Sequence, residues 1–149
     1  MLFRSALHRQ KVIALDSLGI ALTELGELDA AAQILLLSGE QAHVFNPTAE
    51  AHVPLNLAKL RIKQQRYSEA RDLLMQCLHL SEQFNARGAA AAALHELGRV
   101  AVFEGNLDQA ILYIQQSRQL YQTIGAIASE QKVGVFLATL SNPGSHLQL

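Results

Sequence analysis

Two sequence markers recur along this chain at a spacing of about forty residues. One is a leucine followed by a small residue, at Leu18-Gly19, Leu57-Ala58 and Leu97-Gly98. The other is the six-residue segment 26–31, which returns at 65–70 and 105–110. Both markers advance by 39 and then by 40 residues. Because random apolar patterning would not keep two markers in step, the sequence predicts tandem structural units that stack on their neighbours.

Each unit carries the pattern of a helical hairpin. In the first unit, apolar residues recur at helical spacing from Leu15 to Leu25, and a second periodic run begins at Ala31 after a break at Gly26. This alternation predicts a helix, a turn and a second helix. The first helices also carry small residues that would let the paired backbones approach closely, namely Gly19, Ala58 and Gly98.

Capping residues mark the ends of the second helices. Side chains that can accept orphan backbone N–H groups stand near each start, at Asp29, Ser68 and Asp108. Residues that tolerate a left-handed backbone stand near each end, at Asn46, Asn85 and Gly125. Pro54 falls about one turn inside the next first helix, where its missing N–H has no intrahelical partner to lose.

This repeat resembles the tetratricopeptide repeat family, whose pattern places Leu-Gly in the first helix and small residues in the second. The resemblance covers roughly residues 11–125, and the long period is similar to that of repeats in large LuxR-type transcription activators and signalling ATPases. It implies an all-α solenoid of about three helix-turn-helix repeats and a terminal capping helix, together forming one domain over residues 1–149. The expected repeats and terminal helix are 11–46, 50–85, 89–125 and 126–140.

Composition excludes several function classes. A net charge of −1 and a pI near 6.6 argue against a general binder of nucleic acid or anionic membrane. One cysteine excludes a disulfide framework. No apolar run has membrane-spanning length and no signal peptide pattern opens the chain, so the sequence predicts a cytoplasmic protein.

The sequence offers no catalytic constellation. It has no Gly-rich phosphate loop, and the segment from His95 to Arg99 fails the zinc-protease pattern because its fifth residue is not histidine. Cys77 falls where a small buried residue is wanted, so packing is its expected role. The histidines are scattered and lack a third ligand at metal spacing. We therefore expect no catalytic residue, no cofactor and no metal, and a protein that is not an enzyme.

The resemblance implies that the first helices line a concave face where partners bind. The expected partner-binding residues are Asn56, Lys59, Ile62, Lys63, His95, Arg99, Val102 and Phe103. Lys59 and Lys63 are one helical turn apart and Arg99 follows Lys59 by 40 residues, so three cations can meet in one patch. Such a patch suits an acidic peptide. The alternative is a solvated charged face.

One specific version of this binding is not expected. Some tetratricopeptide domains clamp the C-terminal carboxylate of chaperones with Lys, Asn and Arg side chains. The matching positions in this chain are Asp16, Ile20, Asn56, Ala92 and Glu96. Only Asn56 agrees with that pattern, and the two acidic residues would repel the anion.

Both ends of the chain look covered. Residues 1–10 have the pattern of the tail of a preceding helix, and the terminal helix is apolar on all sides. The sequence predicts a homodimer that covers this helix through Val133, Val135, Phe136 and Leu137; the alternatives are a further domain or residues 144–149. The sequence thus predicts a non-catalytic protein–protein interaction module. The alternative is a sensing or oligomerising segment of a bacterial transcription regulator or signalling ATPase.

Overall fold

The computed structural model describes residues 2–45 and 47–142. Seven α-helices and one short 3₁₀ helix make up this part of the chain, and it contains no strand. In order they are α1 Leu2–Leu25, α2 Leu28–Phe45, the 3₁₀ helix Pro47–Ala51, α3 His52–Lys63, α4 Tyr67–Phe84, α5 Arg87–Phe103, α6 Leu107–Thr123 and α7 Ile127–Ser141. Each helix packs on the next, and α3 also touches both α1 and α5. This is the predicted all-α helical-repeat solenoid, with the first helices of the repeats side by side.

The turns between paired helices use left-handed residues at matching positions. Gly26 has a φ of 84° and Gly105 a φ of 77°, whereas the second repeat places Gln65 there with a φ of 59°. A side chain in this conformation costs about 1 kcal/mol, so the second turn is held by its neighbours rather than by local preference. Asn85 and Gly125 are also left-handed and follow α4 and α6, as predicted. Asn46 and the segment 144–149 lie outside the described residues.

The predicted caps at the starts of the second helices are wrong by two positions. Asn106 is the cap of α6, and its side-chain oxygen accepts the backbone N–H of Gln109 at 3.2 Å. Arg66 precedes α4 and makes no side-chain cap. Asp29 and Asp108 lie instead in the first turn of their helices, where a carboxylate still meets the positive end of the helix dipole.

The first helix differs from the prediction. Residues 2–10 do not belong to a preceding helix, because α1 runs unbroken from Leu2 to Leu25. No glycine or proline interrupts the chain before Gly19, so nothing ends a helix there. The third helix agrees with expectation, since Pro54 is its third residue and is buried.

Small residues let paired helices touch, as predicted. A Cβ atom added at Gly98 would lie 2.5 Å from Cγ1 of Ile114, and one added at Gly19 would lie 2.6 Å from Cγ of Leu35. Contacts this short do not occur between real side chains, so a side chain at either position would have to displace Ile114 or Leu35. The larger side chains opposite them, Leu35 and Ile114, are fully buried.

Candidate functional site

A groove with a volume of about 550 Å³ opens on the side formed by α1, α3, α5 and α7. Its charged residues stand one helical turn apart in two of these helices. Lys59 and Lys63 of α3 are four residues apart, and His95 and Arg99 of α5 repeat that spacing. Residues at this spacing share one side of a helix, so each pair enters the groove together.

The groove carries more positive than negative charge. Its cations are Lys59, Lys63, Arg99 and Lys132, and its anions are Glu24 and Glu96. The Arg99 guanidinium donates to a carboxylate oxygen of the buried Glu96 at 2.7 Å. Lys63 Nζ lies 3.9 Å from Glu24 Oε2. Lys59 and Lys132 form no ion pair within residues 2–45 and 47–142, so they leave an uncompensated positive charge.

His95 lies at the centre of these charges. Burial lowers its pKa, the neighbouring Glu96 raises it, and the cations of Arg99, Lys132 and Lys59 lower it. The net effect is a pKa below the usual value for histidine. His95 is therefore neutral at pH 7, and it meets the edge of the Phe136 ring with the ring centroids 5.6 Å apart.

The structure brings five of the eight predicted binding residues together in the groove: Lys59, Ile62, Lys63, His95 and Arg99. The other three do not line it. Asn56 is only 6% exposed and is covered by the fold. Val102 packs against the core between α5 and α7, and Phe103 stacks on Tyr67 with the ring centroids 4.9 Å apart. Packing thus covers Asn56 and part of Val102, whereas Phe103 is 39% exposed beside Tyr67 and outside the groove.

The last helix contributes four residues to the groove, and the sequence had assigned two of them, Val135 and Phe136, to a dimer interface. Lys132, Val135, Phe136 and Thr139 of α7 line the groove. Val133, expected at a dimer interface, is 1% exposed and belongs to the core around Ile114, so that assignment is wrong. Phe136 and Leu137 are half-buried against the same core.

The repeat period would have identified the side of the groove that α7 forms. One further step of 40 residues from His95, Glu96 and Arg99 leads to Val135, Phe136 and Thr139, and all six line the groove. The apolar pattern of α7 concealed this relation, because it suggested a helix that was buried on every side.

The described residues give little support for a metal site or a nucleophilic cysteine. Within 2–45 and 47–142, no three side chains of His, Cys, Asp or Glu come together as a metal site requires. Cys77 is fully buried, its thiol lies 3.7 Å from the carbonyl oxygen of Ala89, and burial raises its pKa. A thiol in that state is a poor nucleophile. In the same part of the chain, no helix is both long and apolar enough to cross a bilayer.

Comparison with known proteins gives one positive finding. The family model described as tetratricopeptide repeat matches residues 48–123, which is about half of the chain. The matched segment begins in the 3₁₀ helix and ends with α6, so it contains the groove residues of α3 and α5. It does not include α7. No curated protein matches the chain.

Proposed function

Because the chain belongs to the tetratricopeptide repeat family, whose repeats mediate protein–protein interaction, we propose that this protein binds a segment of a protein partner in its groove. The family is a non-catalytic interaction fold. The groove lies on the side of the first helices, and it combines charged side chains with the apolar surface of Ile62, Val135 and Phe136. A protein segment is a ligand that presents both kinds of group.

The observation that carries this proposal is the unpaired charge of Lys59 and Lys132. The whole chain has a net charge of −1, yet four cations and two anions line the groove. A positive patch on a weakly acidic protein attracts and orients an acidic partner. We therefore propose an acidic segment as the occupant.

Charge reversal of the unpaired lysines tests the proposal. Affinity capture with the double variant Lys59→Glu, Lys132→Glu should recover about tenfold less of the partner retained by the wild type, because attraction becomes repulsion. Retention by the wild type should also weaken as salt rises. Arg99 is left unchanged, since its loss would leave the buried Glu96 without its cation.

The matched control is the double variant Lys11→Glu, Arg87→Glu. It makes the same change in net charge at exposed residues that do not line the groove. The control should retain partners as the wild type does. Equal retention by the groove variant and the control would show that the groove is only a solvated face.

Self-association through α7 is a separate proposal. Among the predicted interface residues, Val135 gives the main support for this proposal, because its side chain is 70% exposed. Covering such an apolar side chain is favourable, and a two-fold contact is the commonest way to do so. Light scattering should then show the mass of a dimer that falls to that of a monomer in Val135→Glu. A monomer in both samples would contradict it.

A further inference from the structure

We propose, on the basis of the groove function above, that the bound segment carries an acidic side chain close in sequence to a large apolar one. The carboxylate would lie beside His95 between Lys59 and Lys132, and the apolar side chain would cover Phe136 and Val135. The occupant is thus a mixed segment of a protein, neither a purely acidic tract nor a purely apolar helix face.

The anion-binding half of the site is built by α3, α5 and α7. Lys59 of α3, Arg99 of α5 and Lys132 of α7 each line the groove and each act on His95 through their charge. Glu96 compensates Arg99. The two lysines remain able to donate charge-assisted hydrogen bonds to a carboxylate, which are stronger than bonds between neutral groups.

The apolar half of the site lies beside these cations. Phe136 packs edge-on against His95, and Val135 lies 70% exposed along the same wall. A ligand with only acidic groups would leave this apolar surface in water, whereas a ligand with a Leu, Ile or aromatic side chain would remove it from water. At about 550 Å³ the groove accommodates a few side chains rather than a folded surface.

This arrangement extends beyond the segment that the family model matches. It depends on Lys132, Val135 and Phe136, which lie beyond the residues matched by the family model. The residues that would bind the carboxylate also differ from those of the chaperone clamp. At two of the clamp positions this chain has the acidic residues Asp16 and Glu96. Helix α7 therefore determines which segment fits.

A displayed library of random twelve-residue peptides, selected on the full chain, tests the inference. Enriched peptides should carry Asp or Glu within four residues of Leu, Ile, Phe, Tyr or Trp. Binding of the enriched peptides should fall about tenfold in the double variant Lys59→Met, Lys132→Met, and several-fold in Val135→Ser. The double variant Lys11→Met, Arg87→Met, the matched control outside the groove, should bind as the wild type does.

The ring of His95 supplies a second readout. A carboxylate bound beside it favours the protonated imidazole, so its NMR titration should move to higher pH by about one unit in the complex. The charged groups that act on His95 in the free protein are Glu96, Arg99, Lys132 and Lys59. An unchanged titration would place the carboxylate elsewhere and overturn the assignment.

The outcomes separate this inference from the proposed function. Enriched peptides that lack acidic or apolar residues, yet lose affinity in the groove variants, would overturn the inference and leave the groove as the binding site. Peptides unaffected by every groove variant, or no enrichment at all, would overturn both. A dimer that excludes peptides until Val135→Ser dissociates it would make a second copy the occupant and also overturn the inference.

Discussion

At the scale of single residues, Gly98 is the most constrained position. A Leu side chain there would collide with Ile114, so Gly98→Leu should lower the free energy of unfolding by about 1 to 3 kcal/mol. Gly88 is the matched control, because it lies in the same helix with no atom within 4 Å of an added Cβ. Chemical denaturation of both variants measures the difference. Equal losses would contradict the close contact between α5 and α6.

His95 makes stability depend on pH. Its pKa in the folded protein is lowered, mainly by burial, so the unfolded chain binds a proton more readily than the folded one. The contribution of His95 to the free energy of unfolding is therefore fully present above about pH 6.5. It is lost as the pH falls toward the pKa of His95 in the folded protein. Between pH 7.5 and pH 5.5, the free energy of unfolding measured by denaturation should fall less in His95→Gln than in the wild type. His79→Gln, an exposed histidine of α4, is the control and should lose as much as the wild type.

At the scale of helices, sequence periodicity predicted most of the fold, because hydrophobic spacing and left-handed turn residues act locally. The pairing of α5 with α6 followed from Gly98, and the end of α4 followed from Asn85. The caps were harder to predict, because several polar residues near one helix start compete for the same N–H groups. In α6 the side chain of Asn106 makes that bond and Asp108 does not.

The burial of α7 could not be predicted from the sequence of that helix alone. Its composition suggested a uniformly buried helix, yet its sides differ, since Val133 is fully buried and Val135 is 70% exposed. Packing on α6 and the position beside the groove decide this difference, and neither is a local property of the sequence. The contact of Glu130 with Arg118 Nε at 2.6 Å fixes the same orientation. A polar contact between helices cannot be read from periodicity.

At the scale of the whole molecule, the described residues form three buried apolar clusters rather than one. The middle cluster contains eleven buried residues from the 3₁₀ helix and helices α3, α4 and α5. The cluster between α2 and α3 contains only Ala31, Leu35 and Leu60, and α1 leaves Leu2 and Phe3 widely exposed. Solenoid stability is approximately a sum of unit and interface terms, so these clusters should open at different free energies. The groove is built on the largest of them and on its neighbour around α7.

Two equivalent leucines test this division. Leu35 and Leu74 are 39 residues apart, each fills the space beside a small residue, and each is almost completely buried. Either change to Ala should cost about 2 to 5 kcal/mol locally. Native-state hydrogen exchange should become faster mainly in α1 and α2 for Leu35→Ala, because Leu60 of α3 is the one buried residue outside α2 in the cluster of Leu35. Leu74→Ala should speed exchange through α3, α4 and α5, since the middle cluster links those helices. If Leu35→Ala lowered protection equally in every helix, the chain would unfold as one cooperative unit, and the clusters would not open separately.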